Sequence, residues 1–149
     1  MNPKMNPTYD LIKVSIHRDG EQATILEDYK ISVHVKTTTY VINIAEGFIT
    51  DFATVPKFWQ GVFSPLGRYY LAAIAHDWLY VTAKMKTHSM TRKQVDDLFY
   101  EIMKQLGIGW STRYSLWFFV YVFGKKYWDS KEGIQKTGVS YDNPVEIYA

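Results

Sequence analysis

Thr50-Asp51-Phe52-Ala53-Thr54-Val55-Pro56, followed some way on by His76-Asp77-Trp78-Leu79-Tyr80, divides this chain into two textures. Upstream, apolar residues alternate with polar ones at the period of a half-buried strand. In Tyr29-Lys30-Ile31-Ser32-Val33-His34-Val35-Lys36 the odd positions are apolar and the even ones polar, which predicts an antiparallel sheet with one wet face. Leu11 to His17, Ala23 to Leu26 and Tyr40 to Ile44 read as further strands, with Asp19-Gly20 as a hairpin turn and Phe48-Ile49 closing the sheet. His17 and His34 read as surface strand residues. Pro56 lacks an N–H and keeps Val55 extended, so Thr50 to Pro56 is a loop.

Downstream the period becomes helical. Ser64-Pro65 offers an N-cap and an N1 proline, with Gly67 delaying the helix towards Arg68, and Tyr69 to about Ala83 contains no breaker. Thr91 and Gln94 form a capping box for a second helix, in which Val95, Leu98, Phe99, Ile102, Met103 and Leu106 follow the i, i+3, i+4, i+7 rule up to Gly107. Ser111 is the expected cap of a third helix that breaks or ends near Gly124, with Lys125 and Lys126 at the end of its dipole. The expected fold is therefore α+β: an N-terminal antiparallel sheet of three to five strands packed against three C-terminal helices. It forms a single domain, residues 1–149, with strands over about 10–50, helices over 64–128 and an extended tail over 129–149 packed on the surface.

Bulk composition narrows the classes of function. A chain of 149 residues that is 47% hydrophobic and 17% aromatic can bury a sizeable core. Seventeen basic and fifteen acidic residues leave a net charge of +2, which gives no reason to expect nucleic-acid binding. The absence of cysteine removes disulfides, thiolate zinc sites and cysteine nucleophiles. The leader Met1 to Pro7 has no apolar core, so secretion through a signal peptide is not expected. Leu116 to Phe123 is the longest apolar run and falls well short of the roughly 20 residues of a membrane span. No HExxH, P-loop, GxGxxG or nucleophile-elbow pattern is present.

The chemistry-bearing side chains gather around the helix that carries His76. Positions 69, 73, 76, 77, 80 and 84 share a stripe about 100° wide, with His76 and Asp77 on its edges and Ala73 and Tyr80 between them. Small Ala73 leaves room for a loop or ligand to approach both polar groups. Asp77 carries charge in an otherwise apolar helix and requires a partner, with Arg68 and Lys84 as candidate bases. On the second helix Asp96 lies on the rim of the apolar face, towards the helix of His76, and Asp97 points nearly opposite, into solvent. Asp51 can cap backbone N–H groups in an Asx-type turn. Two readings stay open. Asp51, His76 and Asp77 could act as catalytic groups, with Arg68 and Tyr80 binding substrate and Asp51, His76 and Asp96 holding a divalent metal. Alternatively the same groups are a hydrogen-bond lock, and the aromatic residues between Trp110 and Trp128 form a surface for a protein partner.

The order Gly47-Phe48-Ile49-Thr50-Asp51-Phe52-Ala53-Thr54-Val55-Pro56, Gly67-Arg68-Tyr69, His76-Asp77-Trp78-Leu79-Tyr80, Asp96 to Met103, Gly107 and Phe123-Gly124 resembles the DUF1353 family of small phage and prophage proteins. The resemblance runs over about residues 47–128. It implies that Asp51, Pro56, Arg68, His76, Asp77, Tyr80 and Asp96 are family positions, and it implies a phage protein at work in the host cytoplasm or the virion. Its functional content is either a metal-dependent hydrolase or lyase, or a non-catalytic virion component or binder of a host factor. The sequence departs from the family at Lys57, where many members have Arg, and in its longer tail.

Overall fold

A computed structural model describes residues 12–20, 22–51, 69–134 and 138–149. In chain order it has β1 (Val14–Ile16), β2 (Ala23–Ile25), β3 (Tyr29–Val35), β4 (Thr38–Ile44) and β5 (Ile49–Thr50). The helices α1 (Tyr69–Lys84), α2 (Arg92–Gln105) and α3 (Trp110–Asp129) follow, and β6 (Val145–Tyr148) comes last. The fold is α+β. The strands form two antiparallel sheets of three, ordered β1-β2-β5 and β3-β4-β6, where a single sheet was expected.

The alternation in β3 does what the period demands: Ile31 and Val33 are fully buried while Lys30 and His34 are exposed. The β3–β4 turn places Lys36 at φ 55°. His34 is a strand residue of β3 whose ring bonds the Thr39 hydroxyl across the hairpin, whereas His17 lies just past the end of β1, with its ring on the Thr24 hydroxyl of β2. The tail is more than a surface strap, because β6 pairs with β4 from Thr39↔Tyr148 to Ile42↔Val145. Ahead of β6, the Trp78 indole N–H donates to the Pro144 carbonyl at 3.3 Å and the Tyr141 ring stacks on Trp78. The tail is thus tied to the middle of α1.

Helix α1 is buried along nearly its whole length, from Leu71 to Thr82. It packs against α2, β4 and β5, and the Phe48 ring meets Trp78 edge-on at 5.0 Å. Helix α2 starts at the expected capping box, in which Thr91 accepts from the Gln94 N–H and Gln94 accepts from the Thr91 N–H. It ends with Gly107 at φ 80°, the left-handed position that glycine fills without strain.

Helix α3 corrects two expectations. It begins at Trp110 after Gly109, which has no side-chain cap, so Ser111 lies within the first turn instead of capping it. It also runs unbroken through Gly124 to Asp129. A Cβ at Gly124 would stand 2.6 Å from the Tyr80 hydroxyl and 3.4 Å from an Arg92 guanidinium nitrogen. The glycine is there because α3 passes against these two side chains, and that packing outweighs its cost of about 1 kcal/mol within a helix. The expected cap at Ser64-Pro65 lies outside the described residues.

Candidate functional site

The two edges of the α1 stripe face different neighbours, and each edge builds its own polar cluster. His76 and Asp96 are both buried between α1 and α2. The Asp96 carboxylate can only accept, so the His76 Nε2–H donates to its Oδ1 at 2.8 Å, as does the Tyr80 hydroxyl at 2.6 Å. Its Oδ2 takes the Arg92 guanidinium at 3.1 Å, one helical turn away. The same Arg92 nitrogen also reaches the Val120 and Tyr121 carbonyls of α3, so one carboxylate ties three helices. The His76 ring packs on Tyr80 and Phe99 at centroid distances of 4.3 and 4.7 Å. Burial, with the charge of Asp96 next, pushes the Tyr80 phenol well above its usual range, so it stays a donor.

Asp77 looks the other way, towards β5 and the end of α3. Its Oδ2 accepts from the Thr50 hydroxyl at 2.9 Å and the Asp51 backbone N–H at 3.1 Å, and its Oδ1 accepts from the Tyr127 hydroxyl at 2.8 Å. Of the two basic candidates, Lys84 lies over the Tyr127 ring and donates to the Glu132 carbonyl instead, and Arg68 lies outside the described residues. Burial pushes the Asp77 carboxyl up to about 7 and the charge of Asp51 adds to the shift, against the three donated hydrogen bonds. Burial likewise raises the Tyr127 phenol, and it lowers Lys84.

The set expected from sequence is thus brought together in pairs. His76 joins Asp96, and Asp51 joins Asp77. Tyr80 is buried and its hydroxyl donates to Asp96. Ala73 has no exposed surface, so the space imagined beside it is closed. Asp51, His76 and Asp96 do not converge as a metal triad: among the described residues no three His, Asp or Glu side chains are grouped to hold an ion. Asp96 faces inward as the helical phase requires. Asp97 is not simply solvated, since it takes Lys93 at 2.7 Å and the Trp117 indole N–H at 3.1 Å.

Thr50, Arg92 and Tyr127 were missed. For Tyr127 a signal existed: Leu116, Val120, Gly124 and Tyr127 recur at helical spacing and mark the face of α3 turned to α1. His88 also does more than fill a loop. Its Nδ1 accepts the Met90 N–H and its Nε2–H donates to the Leu79 carbonyl, a pairing that only the neutral ring makes. Burial lowers its pKa to match.

The Asp77 shift sets a pH dependence. An acid held at about 7 in the fold and near 3.8 when unfolded keeps its proton in the native state across that interval. Its contribution is full below about pH 4, falls as pH rises towards 7 and then levels off. Asp77→Asn removes this titration. The difference between wild-type and variant unfolding free energies, from urea titrations between pH 4 and 8, should slope by up to about 1.4 kcal/mol per pH unit. A difference that is flat across the interval would assign no such proton to Asp77.

No helix among the described residues is long and apolar enough to cross a membrane. No curated protein and no solved structure matches the chain. The family match begins in β1 and stops within α3, so it takes in Asp51, His76, Asp77 and Asp96 but leaves out Gly124, Tyr127 and β6. With a match over residues 16–120, most of its length, the chain belongs to the family described as protein of unknown function, DUF1353.

Proposed function

We propose that this chain is a non-catalytic binding protein of phage or prophage origin, acting in the host cytoplasm or the virion, with α3 as its docking element. The observation that carries this reading is the outer face of α3. Trp110, Tyr114, Phe118 and Tyr121 recur there at helical spacing with 70, 53, 51 and 47% of their surface exposed. Aromatic side chains bring large contact area at small cost in side-chain freedom, and they are enriched at protein interfaces. His76, Asp77, Asp96 and Tyr80 meanwhile bond one another and the framework, which suits a lock that fixes α1 against α2, α3 and β5.

The occupant this face suits is a protein segment with apolar and basic side chains, given the half-exposed Asp97 and Glu101 beside it. A photo-crosslinker at Phe118, used in cells producing the phage and followed by mass spectrometry of adducts and purified virions, tests the reading. Expected is an adduct to one protein, mapping to a basic segment and lost in Tyr121→Ser with the melting temperature retained. An adduct to a second copy, to phospholipid, or none at all overturns it.

A second reading rests on Asp77, an acid held near 7 beside the half-buried Asp51. Two carboxyl groups whose environments differ this way can divide acid and base roles in a hydrolase or lyase. Loss of the phage phenotype in Asp77→Asn, with stability and the Phe118 adduct unchanged, would favour it.

A further inference from the structure

We propose that a cavity of about 560 Å³ between the β3–β4 hairpin and helices α2 and α3 receives a cationic side chain, arginine or lysine, of the docked partner. The inference rests on the docking reading for its source of ligand and on the cavity itself for its chemistry. The volume is in the range of sites that enclose small ligands, about 300–1,000 Å³.

Its walls are selective for one sign of charge. Tyr40, Tyr100, Tyr114 and Trp117 supply aromatic rings, Asp97 and Glu101 supply carboxylates one helical turn apart, and among the described residues no lysine or arginine lines it. A ring face is the negative end of a quadrupole, so aromatic walls joined to carboxylates favour ammonium or guanidinium over anions and neutral groups. The protein already uses one of these rings in this way, with the Arg113 guanidinium 5.2 Å from the Tyr100 centroid.

The two acids are in different states. Asp97 is fixed by the Trp117 indole N–H on one oxygen and Lys93 on the other. The Glu101 side chain has no hydrogen bond or ion pair among the described residues, and it is the charge left for a ligand. The cavity is also continuous with the docking face: Tyr114 borders it, and Trp117 stacks on Tyr121 at 5.3 Å. A segment lying along α3 can therefore place one basic side chain over the edge and into the cavity.

The test is an amide and indole NMR titration of the full chain with N-acetyl-arginine methylamide, the lysine analogue, the citrulline analogue as uncharged isostere of arginine, and tetramethylammonium. Expected are saturable shifts of the Trp117 indole N–H and of Tyr100 and Tyr114. Arginine or lysine should bind at least about fivefold tighter than citrulline, with the preference lost in Glu101→Gln and binding weakened in Tyr114→Ala. Equal binding of citrulline, shifts centred elsewhere, or a Glu101→Gln variant that keeps the preference overturns the proposal. Tetramethylammonium binding tighter than either side-chain analogue overturns the side-chain source. If the cavity fails while the Phe118 adduct persists, docking stands without it; if the analogues bind and no adduct forms, the docking reading fails.

Discussion

Asp96→Asn should cost the protein about 3 kcal/mol, while Asp97→Asn one position on costs less than about 1. The carboxylate of Asp96 is 1% exposed and serves His76, Tyr80 and Arg92 at once. An asparagine keeps the shape and one acceptor. Its amide must still point an N–H at a donor, leaving either the Arg92 charge or the His76 and Tyr80 pair without an acceptor, and breaking a buried charged pair costs about 3–5 kcal/mol. The solvent access of Arg92 places the effect at the low end. In a chain of this length the loss lowers the melting temperature by roughly 10 °C. Asp97 keeps a largely solvated ion pair, whose removal is nearly neutral. Thermal and urea unfolding of both variants check the contrast, and equal losses would mean that the inward carboxylate is not the one that binds the helices.

The second large effect concerns a single methyl group. Gly124→Ala should destabilise by about 2 kcal/mol, although alanine is the better helix former by about 1 kcal/mol. The added Cβ would lie 2.6 Å from the Tyr80 hydroxyl, which is held by Asp96 and cannot simply move aside. The cause is separable by a double-mutant cycle. Tyr80→Phe alone loses the bond to Asp96, but in that background Gly124→Ala should be neutral or stabilising, because the clashing oxygen is gone. A cost of the same size in both backgrounds would place the conflict elsewhere, at Arg92 or the Tyr80 ring.

How far the sequence could be read depended on whether a residue's role is local. Helix α2 was legible to its caps because Thr91, Gln94 and the apolar repeat act within a few residues of one another. The same short range made the inward phase of Asp96 legible, and the opposite edges of His76 and Asp77. The partners of those groups were another matter. Thr50 and Tyr127 reach Asp77 from 27 and 50 residues away, and no period within α1 carries that information. Gly124 was misread because propensity makes glycine a breaker, whereas here the absence of a side chain is a packing requirement set by Tyr80. Val145 to Tyr148 was read as tail since a short strand after a proline does not state which edge it joins. The half-exposed Asp97 fits a surface residue, and its bond from Trp117 comes from the next helix, out of reach of any period within α2.

The pairing of β6 with β4 has a consequence for the order of assembly. Asn43 donates to the Asn143 carbonyl one hundred residues on, and the Trp78 indole N–H donates to the Pro144 carbonyl just before β6. On a chain emerging from the ribosome, β3 and β4 can form their hairpin early, and the three helices can dock, while one edge of β4 still has open N–H and C=O groups. Such an edge is a template for another chain. The slow, non-local closure waits for residues made after the other strands and helices. β6 therefore covers an edge of β4 that stays open until the rest of the fold has been made, and it moves the free edge of the sheet out to itself.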